Sequence, residues 1–176
     1  MITDLKINAE RKQFYYEKGY WTEKTLGDVW ADRVASHPER TYVSDDQGSS
    51  YTYGEIDDKA ARLAAWLVEQ GAPGDVVTFQ MPTWAEFCIV YVAALKAGAV
   101  MHPLPRNFND ADLVYGMNLV GSRAFICPTK VAKVDFESQI LSIVDQIPTL
   151  GPVALVDKAA PKHSELPTVA EICARY

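Results

Sequence analysis

Three cysteines in 176 residues, Cys88, Cys127 and Cys173, are too few and too scattered for a structural framework. None forms a C-x-x-C pair, so neither a zinc knuckle nor a disulfide scaffold is indicated. They read as small buried hydrophobes in a reducing compartment. Positive charge is in deficit. Lys+Arg is 17 against Asp+Glu 23, a formal charge of −6, and the pI is about 5.0. A surface that tracks nucleic-acid phosphates needs the opposite balance. Long apolar runs are also missing. The longest, residues 87–95, is about half of the ~20 residues that a bilayer span requires. The N-terminus carries Asp4 and Glu10 with no apolar stretch behind them, so no signal peptide is read there and the expected location is cytoplasmic.

Self-contained catalytic motifs are absent too. There is no G-x-G-x-x-G, no G-x-x-x-x-G-K-[ST] and no G-x-S-x-G. The three histidines, His37, His102 and His163, form no H-x-x-x-H or HExxH pair. His37 and His163 read as solvated loop residues. His102 ends an expected strand and reads as structural. Glu55, Asp57 and Asp58 cluster at a helix start, where the helix dipole favours acids without any acid/base role.

What is present is an ordinary folded composition, 48% hydrophobic and 23% charged. At 19.6 kDa the folded surface should be roughly 8,500 Å² against roughly 28,000 Å² unfolded, enough to bury one good core. Residues 1–24 hold Phe14, Tyr15, Tyr16, Tyr20 and Trp21. They read as an arm, helical or extended, pinned to the body by its aromatics.

Five segments have capping-box form: Thr25–Asp28, Thr52–Glu55, Thr83–Glu86, Asn109–Asp112 and Thr168–Glu171. Each places a short polar side chain at the N-cap and an acid three residues on. Stops follow at Pro38, Gly71 with Pro73, Gly98, Gly121 and Pro148. Ile56, Ala60, Leu63, Ala64 and Leu67 fall on one helical face, and so do Phe136, Ile140, Ile143, Val144 and Ile147.

Between the helices lie short, near-continuous apolar runs at 76–79, 99–101, 124–127 and 153–156. Continuity rather than alternation is expected of strands covered on both faces. An earlier pair, 41–44 and 50–52, brackets Asp45-Asp46-Gln47-Gly48-Ser49 and reads as a β-hairpin. The fold class is therefore α/β, a mostly parallel sheet flanked by helices on both faces. No Gly/Ser linker or internal repeat divides residues 25–176.

Tyr51-Thr-Tyr-Gly-Glu-Ile56, Ala60-Ala-Arg-Leu-Ala-Ala65, Gly74-Asp-Val-Val77 and Phe79-Gln-Met-Pro-Thr-Trp-Ala-Glu-Phe87 occur in that order. Ala93-Ala-Leu-Lys-Ala-Gly-Ala-Val100 follows, ending in Pro103-Leu104. This series resembles the opening of the adenylate-forming acyl-activating ligases. Leu95-Lys-Ala-Gly98 with the downstream Pro-Leu is its most specific piece. Phe79-Gln80, Trp84, Cys127-Pro-Thr129 and Val156-Asp-Lys158 are most similar to bacterial short- and medium-chain fatty acyl-CoA synthetases.

The resemblance implies an N-terminal subdomain over 25–176 and a parent enzyme that uses ATP, Mg and CoA. It implies as partners the remainder of the ligase large domain, a C-terminal domain, and a fatty acid. The phosphate-holding loop, metal-side acid, ribose aspartate and C-terminal lysine of such ligases have no counterpart here. The segment is therefore expected to bind no cofactor by itself and to be inactive alone. An apolar face, on residues 84–95 or at the sheet edge near Val153, is expected where the rest of the large domain packs; a homo-oligomer is the other use of such a face. The loops 102–107 and 128–133 correspond to the CoA side. Arg106 and Asn107 would border the pantetheine channel, and Lys130 and Lys133 would meet CoA phosphates. The alternative is an independent flavodoxin-like ligand-binding or interaction module. Its first strand would need an anion-binding turn, and Pro82 in Gln80-Met-Pro-Thr83 removes a donor there.

Overall fold

The computed structural model describes residues 7–71, 73–158, 161 and 165–176. His163 and the first six residues of the arm lie outside them. The elements in chain order are α1 (Ala9–Glu17), α2 (Leu26–Ser36), β1 (Thr41–Ser44), β2 (Ser50–Thr52), α3 (Tyr53–Glu69), β3 (Val76–Gln80) and α4 (Ala85–Lys96). They continue with β4 (Val100–Leu104), α5 (Asp110–Val120), β5 (Ser122–Pro128), β6 (Lys130–Val131), β7 (Val134–Asp135), α6 (Phe136–Ile143), a 3-10 turn (Val144–Gln146), β8 (Val153–Val156) and α7 (Val169–Arg175).

Four parallel strands form the central sheet in the order β4-β3-β5-β8. Strand periodicity sorts their side chains into two cores. Val77, Phe79, Ile126, Ala154 and Val156 pack with Leu63, Leu67, Ile89 and Val90, so α3 and α4 cover one face. Phe125, Cys127, Val153 and Leu155 pack with Leu113, Met117, Phe136 and Ile140, so α5 and α6 cover the other. Fully burying each of these side chains stabilises the fold by about 1.5–3 kcal/mol. The α/β class read from the sequence is the observed one. β4 is the exception to full coverage. It is an edge strand, which explains how it accommodates Pro103, and Val100 on it is exposed. It also runs to Leu104, so His102 lies within the strand rather than in a loop.

Four of the five capping boxes form as read, at Thr25, Thr52, Asn109 and Thr168. The fifth does not. The N-cap of α4 is Trp84, which makes no side-chain cap bond. Asp45, in the β1–β2 loop, caps α4 instead, accepting from the Ala85 N–H at 2.9 Å. A local pattern lost here to a long-range carboxylate.

Two further expectations are corrected. The arm aromatics cluster on one another, Tyr15 with Trp21 at 5.0 Å and Tyr16 with Trp21 at 6.0 Å. No α1 residue is buried, so the rings do not pin α1 by burial. The apolar helix 84–95 is not an open face either. Ile89, Val90, Val92 and Ala93 lie inside the first core, Ala85 is buried, and Val153 is buried in β8. Beyond β8, Pro167 accepts from the Leu155 N–H and Thr168 bridges to Leu155, covering part of that edge.

Candidate functional site at the strand carboxyl ends

β3 lies between β4 and β5, and its two neighbours are reached in opposite directions. The chain leaves β3 toward α4 on one face and leaves β5 toward α6 on the other. The two loops diverge and open a crevice beyond the carboxyl ends of adjacent strands, the position at which open parallel sheets bind ligands. The cleft there has a volume of about 770 Å³. Met81 to Trp84 wall it from β3, Lys130 to Ala132 from β5, Arg106 from β4, Lys158 from β8, and Asp46 with Gln47 from the hairpin loop.

Of the four residues read from sequence as ligand contacts, the fold brings two together. Arg106 and Lys130 both line the cleft. Asn107 and Lys133 are exposed and do not line it. The reason is local structure. Residues 130–135 form a tight antiparallel hairpin, β6 with β7, rather than an open loop. Ala132 and Lys133 make its turn, with Ala132 at φ +52°. That turn directs Lys130 and Lys133 to different sides.

A third cation was missed. Lys158 follows β8 and reaches back across the sheet end. Its Nζ donates to Glu86 Oε1 at 2.8 Å and to Ser49 Oγ at 2.7 Å, and lies 5.7 Å from the Trp84 ring centroid. Burial works against this charge, but the hydrogen bond and charge of Glu86, with Asp45 behind, outweigh it and hold the ammonium above its ordinary range. Glu86, read as the partner of Thr83 in a cap, is thus an ion-pair partner. Its Oε2 is buried with no partner. The signal in the sequence was a lysine two residues past the last parallel strand; its partners, far away in the chain, gave none.

Asp45 completes the rim. Besides Ala85 it accepts from the Ser49 N–H at 2.9 Å and the Gln47 N–H at 3.0 Å. The Ala85 bond foremost, then those from Ser49 and Gln47, hold its carboxyl below the usual range against a smaller burial effect. The hairpin loop is therefore tied to the sheet end by two charged groups, Asp45 and Lys158. Arg106, Lys130 and Lys158 line the cleft with Asp46. Lys158 is already paired with Glu86, which leaves Arg106 and Lys130 as the cations there without an ion pair among the described residues. Cations at an end that solvent reaches can donate hydrogen bonds to phosphoryl or carboxylate oxygens.

Among the described residues no three His, Cys, Asp or Glu side chains converge as a cation cage. Magnesium is commonly held by one or two carboxylates together with substrate phosphates, and no step is routed through it here. Cys127 is fully buried, and burial pushes its thiol up, with the Glu137 charge adding to the effect. It is an inert core residue, as expected; Cys88 and Cys173 are half-buried. His102 Nδ1 sits 3.0 Å from Thr78 Oγ1 within the sheet, away from the cleft, which fits a structural role.

Comparison with known proteins matches residues 30–173 to the family described as "AMP-binding enzyme". The chain belongs to that family. The chain is 36% identical over 167 residues to the medium-chain fatty-acid–CoA ligase of Escherichia coli (strain K12), covering 94% of this chain and 30% of that protein. It is 28% identical over 172 residues to the salicyl-AMP ligase / salicyl-S-ArCP synthetase of Mycobacterium tuberculosis, covering 95% and 30%. The apo structure of Mycobacterium smegmatis MbtA superposes with a TM-score of 0.78 at 28% identity, over 95% of this chain and 30% of that one. The AMP-binding segment thus spans under a third of the length of these relatives. Among its described residues no helix is long and apolar enough to cross a membrane.

Proposed function

We infer that this chain is the N-terminal α/β part of an ATP-dependent fatty acyl-CoA synthetase. In the reaction, a fatty carboxylate oxygen attacks the α-phosphorus of ATP and pyrophosphate leaves. The thiolate of CoA then attacks the acyl carbon of the adenylate, and AMP leaves with the bonding pair. The observation that carries the fatty acid assignment is the 36% identity to the E. coli medium-chain ligase over nearly the whole chain. An aryl-acid substrate is the second reading, supported by the 28% identity to the salicyl-AMP ligase.

The role of this segment is to hold ligands rather than to react. Arg106 and Lys130 are proposed to meet phosphate oxygens of CoA at the cleft mouth, with Lys158 behind them. Asn107 and Lys133 stand outside the cleft lining. ATP, magnesium and the reacting groups belong to the remainder of the large domain and a C-terminal domain, so the segment alone is inactive.

The test is a chimera in which this chain replaces the matched segment of the E. coli ligase. Arg106→Gln and Lys130→Gln should each raise KM for CoA about tenfold, the loss of one charge-assisted hydrogen bond worth about 1.4 kcal/mol. Adenylation, followed by pyrophosphate exchange, should hold steady, and Lys133→Gln should do nothing. Equal loss in both half-reactions refutes the assignment.

A further inference from the structure

Two polar side chains of β3, Thr78 and Gln80, are fully buried. They alternate with Val77 and Phe79 and so face the other side of the sheet from α3 and α4. Thr78 is satisfied on both flanks. Its hydroxyl bonds Ser122 Oγ on β5 and lies 3.0 Å from His102 Nδ1 on β4. Gln80 is satisfied on one. Its Nε2 donates to the Pro105 carbonyl at 3.0 Å, while its Oε1 is buried with no hydrogen-bond partner among the described residues. Pro105 fixes which way the amide faces, because a flipped amide would set oxygen against oxygen. An acceptor buried without a donor costs at least as much as one neutral hydrogen bond returns. For stability alone, a methionine of similar length and without either polar atom would serve this position as well or better.

What the amide holds is the turn that carries Arg106. The Pro105 carbonyl also accepts from the Phe108 N–H at 3.2 Å, with Arg106 and Asn107 at the corner between them. Gln80 adds a second bond to the same oxygen from the end of the neighbouring strand, one residue before Met81 in the cleft wall. The other end of the connection is tied to α6. Gln139 Nε2 donates to the Phe108 carbonyl at 3.4 Å and to Asp110 Oδ1 at 2.9 Å. Arg106 itself is exposed, lines the cleft and makes no ion pair among the described residues. Its placement is therefore set by the backbone that bears it, and a binding cation is effective when its support is rigid.

We propose that Gln80 is a positioning residue whose amide holds the Pro105–Phe108 turn so that Arg106 stands over the cleft. Its use for CoA phosphates rests on the functional reading above. The test variant is Gln80→Met. In the isolated chain its melting point should be no lower than that of the parent, while amide NMR relaxation should show the Arg106 to Phe108 backbone losing order. In the chimera it should raise KM for CoA about threefold with a smaller change in kcat. Combined with Arg106→Gln, it should add nothing to the roughly tenfold rise of that single variant, where independent effects would multiply to about thirtyfold. A lowered melting point or a failure to fold overturns the proposal, since the amide then serves stability. An unchanged turn, or effects on KM that multiply, also overturns it. If Arg106→Gln leaves KM for CoA unmoved, the functional reading is refuted, and the relaxation and melting measurements on the isolated chain still decide whether Gln80 holds the turn.

Discussion

At the scale of single residues, the ion pair at the rim carries the clearest consequence. The Lys158 side chain is 23% exposed and that of Glu86 13%. Removing the ammonium leaves a nearly buried carboxylate with no counter-charge, and one of its oxygens has no partner even now. Lys158→Met is therefore expected to cost about 2 kcal/mol, below the range for fully buried pairs because some water reaches the site. Adding Glu86→Gln should recover much of that loss in urea unfolding. A double variant no more stable than Lys158→Met would show that the pair is not the source.

Asp45 and His102 both contribute to the acid limb of stability. The Asp45 carboxyl is held below its ordinary range by backbone N–H donors. Its contribution is complete at neutral pH, above the unfolded value near 4, and is lost as pH falls through the lower folded value. Asp45→Asn has one acceptor oxygen for the Ala85 N–H on one side and the Ser49 and Gln47 N–H groups on the other, so it should lower stability at neutral pH and flatten its fall between about pH 5 and 3. For His102, burial holds the imidazole below its ordinary value. The unfolded chain takes that proton near pH 6.5 while the folded site resists it, so stability falls as pH drops below about 6.5. A proton NMR titration should place the His102 midpoint below that value; one at or above it contradicts the account.

At the scale of elements, the β6–β7 hairpin carries local strain. Ala132 occupies the left-handed region at φ +52°, where an L side chain costs about 1–2 kcal/mol. Glycine removes most of that cost at some loss of chain entropy, so Ala132→Gly should stabilise by about 0.5–1 kcal/mol. The urea midpoint should rise with unchanged slope. A lower midpoint would mean that the alanine methyl makes packing worth more than the strain.

Elements were legible where their determinants are local. Strands 153–156 and 41–44 and the caps at Thr52, Asn109 and Thr168 are set by neighbours within four residues, and they form as read. The Thr83 cap was misread because its competitor, Asp45, arrives from 40 residues away. The β6–β7 hairpin was read as a loop because Ala-Lys carries none of the glycine or asparagine that marks a tight turn. In the site, Arg106 and Lys130 were legible as cations just past strand ends. Lys158 was not, because its significance comes from Glu86 and Ser49, 72 and 109 residues away.

At the scale of the molecule, the arrangement divides labour. Two cores fix a four-stranded sheet, and the sheet's switch point gathers Arg106, Lys130 and Lys158 over one crevice. Cys127 lies sealed in the core and His102 within the sheet; under the proposed function the segment binds and other parts of a ligase make the bonds.

Carboxylate-dependent ATP–pyrophosphate exchange, run on the isolated chain and on the chimera with the E. coli ligase, tests this division most directly. The account predicts no exchange above background for the chain alone and medium-chain fatty-acid-dependent exchange for the chimera. Exchange by the isolated chain, or a folded chimera that cannot adenylate any carboxylate, would contradict it.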